Sequence, residues 1–224
     1  MTPELTPSHT LPQDAEQALL IGRLWQPGVG PVLVQVRPDG VYDLSSVAST
    51  CSELLDREDR VAAVRGHAGA RLGDVAALLH NTHPDTREHN CPWLLAPCDL
   101  QALKAAGVTF VASMLERVIE EQARGDASKA AAVRAAVVAI MGENLSAVKP
   151  GSEQAAQLKH ALLSQGAWSQ YLEVGIGPDA EVFTKSQPMS AVGTGVDVGI
   201  HPRSEWNNPE PEIVLAINSR GEVV

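Results

Sequence analysis

Two apolar-rich stretches, Leu19–Trp25 and Val32–Val36, flank the turn Pro27-Gly28-Val29-Gly30-Pro31 and read as paired strands. The Arg37-Pro38-Asp39-Gly40 turn leads into a third, Val41–Leu44, so a small meander opens the chain. Ser45 or Ser46 is placed to cap a helix reaching about Asp56, and Leu72–Leu79 is apolar at helical spacing. Asn81–Pro97, with Pro84, Pro92 and Pro97, reads as a connection and sets a domain boundary.

Beyond it the period is helical. Met114, Leu115, Val118 and Ile119 share one face of Ala112–Arg124, while Glu116, Glu120, Glu121 and Arg124 lie largely off it. Gly125-Asp126 breaks this helix and Ala127–Met141 forms the next. Ser152 caps a third, whose apolar face is Ala155, Leu158, Leu162 and Leu163, ending near Gly166. From Tyr171 onward the texture changes to short apolar stretches between Gly and Pro: Val182–Thr184, Ala191–Val192, Val196–Ile200 and Ile213–Ile217. These predict strands with tight turns, the last turning at Ser219-Arg220-Gly221. The pattern gives an α+β protein: a small N-terminal α/β domain over residues 1–96 and a second domain over 97–224.

Composition narrows the classes. The chain is 44% hydrophobic and 20% charged, ordinary for a globular protein, and only 4% aromatic, so aliphatic residues and Ala must build the core. Lys and Arg number 17 against 27 Asp and Glu, a formal charge of −10. No basic cluster offers a phosphate-binding surface, which argues against nucleic acid. No apolar run approaches the roughly 18 residues of a spanning helix, and the polar, proline-containing Met1–Gln13 is not a signal peptide, so no membrane partner is expected. Three cysteines, an odd number, fit a reducing cytoplasm.

The most informative local feature is Asn207-Asn208-Pro209-Glu210-Pro211-Glu212-Ile213-Val214-Leu215-Ala216-Ile217. In a strand Glu210 and Glu212 share a face, with Ile213, Leu215 and Ile217 opposite. Two like charges about 6 Å apart repel by roughly 3 kcal/mol at an effective dielectric near 20. Burying both calls for a cation, and hard oxygen ligands suit Mg2+, Mn2+ or Ca2+. A bare Glu-X-Glu also fits a solvated strand face, because Glu is rarely buried.

The segments around the pair carry a resemblance. Phe183-Thr184-Lys185, Val192-Gly193 and Pro209-Glu210-Pro211-Glu212 are similar, in order and spacing, to the aromatic-X-Lys, Val-Gly and Pro-Glu-Pro-Glu signatures of the fumarylacetoacetate hydrolase superfamily. Upstream, Pro97-Cys98-Asp99-Leu100-Gln101 and Ala106-Gly107-Val108-Thr109-Phe110 resemble the start of the catalytic domain in the branch containing 2-keto-3-deoxy sugar acid dehydratases. Ser113, Arg117, Glu120 and Glu121 resemble that branch's Ser and Arg-X-X-Glu-Glu pattern. The likeness covers about Pro97 to Val224 and is weakest between Gly125 and Gln170.

The resemblance implies a mixed β-sandwich roll with a helical lid insertion for residues 97–224, and a divalent metal held by three acidic residues, of which Glu210 and Glu212 match the first two. The third, an Asp of the family's next strand, and a downstream catalytic Lys would fall after Val224, so the expected catalytic domain is incomplete at its C-terminus. A metal here would act as a Lewis acid on the keto oxygen of a small 2-keto acid and stabilise the enolate. Glu120 is the candidate for proton transfer, with Glu116 and Glu121 as rivals. Arg117 is the candidate carboxylate clamp. The same four residues equally describe an exposed helix face laced with i,i+3 and i,i+4 pairs. The resemblance puts Lys185 beside the pocket.

Gly193 and Gly195 read as turn and close-packing positions, and Asp197 as loop. His80, His83, His89, Cys91 and Cys98 lack zinc-ligand spacing, no Gly-X-Ser-X-Gly elbow is present, and Gly-X-Gly-X-X-Gly is missing. The expected function is therefore magnesium-dependent dehydration of a 2-keto-3-deoxy sugar acid by a homodimer, with Mn2+ or Ca2+ as alternative metals. Two other outcomes stay open: carbon–carbon hydrolysis of a 2,4-diketo acid, and a catalytically dead fragment with a binding or structural role.

Overall fold

The computed structural model describes every residue except 1–3, 108–118, 120–122, 124–125, 142–147, 165, 167, 169, 180, 206 and 208–210. It is a mixed α/β protein with two compact units, one made of Met1–Ala102 with Ser186–Val224 and the other of Leu103–Lys185. The second predicted domain, 97–224, is thus divided between them.

The first unit is built on a five-stranded antiparallel sheet. β1 (Leu20–Gln26), β2 (Gly30–Arg37) and β3 (Gly40–Asp43) form the meander expected from the turns, with Leu24 opposite Val32 and Val36 opposite Val41. β4 (Arg71–Gly73) extends it beyond β3, and β5 (Trp93–Leu95) returns to lie beside β1, giving the order β4-β3-β2-β1-β5. The β3 turn requires Gly40: its φ is +148°, and a Cβ there would come within 2.8 Å of the Gly73 carbonyl oxygen.

Both faces of this sheet are covered, which is why β2 reads as an apolar run with little alternation. Leu33 faces α2 (Cys51–Asp56) and α3 (Arg60–Gly66), in a cluster with Leu44, Cys51, Leu54 and Val64. Val32 and Val34 point the other way, toward α4 (Val75–Thr82), packing with Leu24, Val41 and Leu78. One strand therefore serves two cores through its period-2 geometry. A short helix α1 (Pro7–Thr10) precedes the sheet.

Several boundaries differ from the sequence reading. The helix expected from Ser45 or Ser46 starts at Cys51 instead, because the Thr50 hydroxyl takes the Glu53 amide and caps it there. The helical stretch at Leu72–Leu79 splits into β4 and then α4. The presumed connection 81–97 contains the end of α4, a turn of 3-10 helix at Pro84–Thr86 and strand β5. Two buried polar side chains organise it. Asn81 donates to the carbonyls of Glu88, Cys91 and Pro92 (2.9–3.1 Å) and accepts from the Glu88 amide at 2.6 Å. The Thr82 hydroxyl donates to the Leu78 carbonyl (2.6 Å) and accepts the Leu94 amide (2.8 Å), tying α4 to β5.

In the second unit, β6 (Leu103–Ala106) pairs with β7 (Val182–Ser186). α5 (Ala127–Met141) and α6 (Glu153–Ser164) fall where the periodicity placed them. The Ser152 hydroxyl accepts the Ala155 amide at 3.1 Å, the expected cap, and Ala155, Leu158 and Leu162 are the buried face of α6. Gly166, at φ +66°, follows its end. Helix α7 (Gln170–Ile176) occupies a stretch where the change toward strand texture was expected.

The strands expected at 191–192, 196–200 and 213–217 do not form; only Ile217 makes an isolated bridge, to Val223. Apolar composition creates a strand only where a partner supplies the ladder. Pro211–Leu215 make no backbone hydrogen bond to another described residue.

Candidate functional site

Of the residues nominated from sequence, Arg117, Glu120 and Glu210, with Glu116 and Glu121, lie outside the described residues. Glu212 is exposed, and so are Ile213 (91%), Val214 (83%) and Leu215 (62%) after it. Lys185 is exposed near the end of β7, its Nζ 5.9 Å from the centroid of the Phe183 ring. Among the described residues no three of His, Cys, Asp and Glu converge as a metal site. His83 instead turns its Nδ1 to the Asp85 amide at the start of the 3-10 turn, and Cys91 lies 3.7 Å from a Glu88 carboxylate oxygen.

Gly193 does serve close packing: a Cβ there would lie 3.0 Å from the Leu94 carbonyl oxygen, against β5. The C-terminal turn is anchored to α2. The Asp56 carboxylate accepts the Ser219 amide (2.7 Å), and Arg220 donates to the Asp56 carbonyl (3.0 Å) while pairing with Glu222. Hydrogen bonding from Ser219 holds the Asp56 carboxyl below its ordinary range.

The most concentrated polar chemistry described lies at Asp99, inside the motif Pro97-Cys98-Asp99-Leu100-Gln101. Its carboxylate is 3% exposed. One oxygen accepts the Cys51 amide at 2.6 Å; the other accepts the Ser52 hydroxyl (2.7 Å), the Ser52 amide (3.1 Å) and the Leu100 amide (2.7 Å). Arg23, projecting from β1, brings Nε to 3.5 Å of the carboxylate and donates to the carbonyls of Cys98 (2.8 Å) and Ala96 (3.2 Å). The Asp99 carbonyl accepts the Met189 amide at 2.9 Å.

Burial pushes the Asp99 carboxyl up, but the Ser52 hydroxyl and the amides of Leu100, Cys51 and Ser52 outweigh it and hold it below the usual value. Asp99 is therefore an ion at neutral pH. Its oxygens are occupied by protein donors, which makes it a joint between β1, α2 and residues 96–101 rather than a ligand. Sequence reasoning quoted Asp99 only as part of a resemblance; the missed signal was an Asp and an Arg, each in an otherwise apolar context, that need each other when buried. Beside it, burial and then the Asp99 charge push the Cys51 thiol up to about 11.

No family model, curated protein or solved structure matches the chain. No helix among the described residues is long and apolar enough to cross a membrane.

Proposed function

We propose that this chain carries part of a divalent-metal site for small 2-keto acids, of the fumarylacetoacetate hydrolase type, with Glu210 and Glu212 as metal ligands. The observation that carries the proposal is the order of the motifs, Pro97-Cys98-Asp99, Arg117-X-X-Glu120-Glu121, Phe183-X-Lys185 and Pro209-Glu210-Pro211-Glu212. Hard carboxylate oxygens fit Mg2+, with Mn2+ or Ca2+ as alternatives. When bound, the metal supplies Lewis acidity toward the keto oxygen.

The remaining roles fall to the chain's own side chains. Glu120 removes the C3 proton next to the keto group and returns it to the C4 hydroxyl, which leaves as water when the C4–O bond breaks. Arg117 holds the substrate carboxylate, and Lys185 supplies positive charge at the pocket. Dehydration of a 2-keto-3-deoxy sugar acid by a cytoplasmic homodimer is the preferred reaction, because Ala106–Phe110 and Arg117–Glu121 resemble that branch. Carbon–carbon hydrolysis of a 2,4-diketo acid is the alternative. A second reading is favoured by the exposure of Glu212 and of the apolar residues after it: a chain with no turnover that serves as a binding partner.

Proton abstraction is testable without knowing the final product. The chain is incubated in D2O with Mg2+ and a simple 2-keto acid, and loss of the C3 proton signal is followed by NMR. Exchange above the rate with metal alone, abolished in Glu120→Gln and Glu210→Gln, is the expected result. Exchange no faster than metal alone favours the second reading.

A further inference from the structure

We draw no further inference here: the strongest candidate, the exposed apolar run Ile213–Ile217 of the first compact unit, with exposed Met189, Val192, Val198 and Ile200 in the same unit, carries nothing because nothing in the structure shows what covers it.

Discussion

Replacing Asp99 by Ala tests the physical centre of the first unit. The substitution removes the acceptor of three amides and one hydroxyl, and leaves the Arg23 guanidinium, a side chain only 9% exposed, without its counter-charge. Loss of a helix cap alone costs about 1 kcal/mol. Stripping one partner from a buried ion pair costs about 3–5 kcal/mol, because the remaining charge stays desolvated. The second effect dominates, since the carbonyls of Ala96 and Cys98 give Arg23 hydrogen bonds but no net charge. Asp99→Ala should therefore lose about 3–5 kcal/mol, and Asp99→Asn, which removes the same charge and turns an NH2 donor toward amide donors, should lose a comparable amount. Urea unfolding followed by tryptophan fluorescence reads this directly, because Trp25 and Trp93 stack across β1 and β5 with ring centroids 5.7 Å apart. The carboxyl is held below its ordinary value in the folded state, so its contribution is present above about pH 4 and is lost as pH falls through the folded value. The gap between wild type and Asp99→Ala should accordingly narrow in acid. A loss under about 1 kcal/mol at pH 7, the range of an exposed pair, would refute the reasoning.

Three further outcomes follow from the same packing. Thr82→Val keeps the shape but leaves the half-buried Leu94 amide without its acceptor, so a loss of about 1–2 kcal/mol is expected in the same urea assay, with faster amide exchange at Leu94. Leu24, fully buried on the α4 side of the sheet, should cost about 2–5 kcal/mol when cut to Ala, measured by the shift in thermal midpoint. With its thiol pushed up to about 11, Cys51 should resist a thiol reagent at pH 8 in the native protein while Cys91 reacts; rapid labelling of Cys51 before unfolding would contradict this.

How much of this was legible depended on whether an element carries its own instructions. The β1–β3 meander did: its turns hold Gly28, Gly30 and Gly40 at positive φ, and its strands are too apolar to be left in water. Helix α6 did too, with a hydroxyl cap at Ser152 and a glycine beyond its end. Strand β5 did not. Trp93-Leu94-Leu95 becomes a strand only because β1 and the Thr82 hydroxyl receive it, and neither is local in sequence. The converse error has the same cause, since Ile213–Ile217 has strand composition without a ladder. Of the candidate site, Lys185 and Glu212 are seen, both exposed, whereas Arg117, Glu120 and Glu210 lie outside the described residues. The joint of Arg23 with Asp99 left only half a signal: each charge sits among apolar residues, but nothing in either segment names its distant partner.

The functional account stands on a cation held between Glu210 and Glu212. Titrating the chain with Mn2+ while recording its electron paramagnetic resonance spectrum counts free metal at each addition. The account predicts uptake that saturates at one Mn2+ per chain in wild type, and none beyond buffer in the Glu210→Gln, Glu212→Gln double variant. Equal uptake by the two proteins, or no uptake by wild type at millimolar metal, would contradict it.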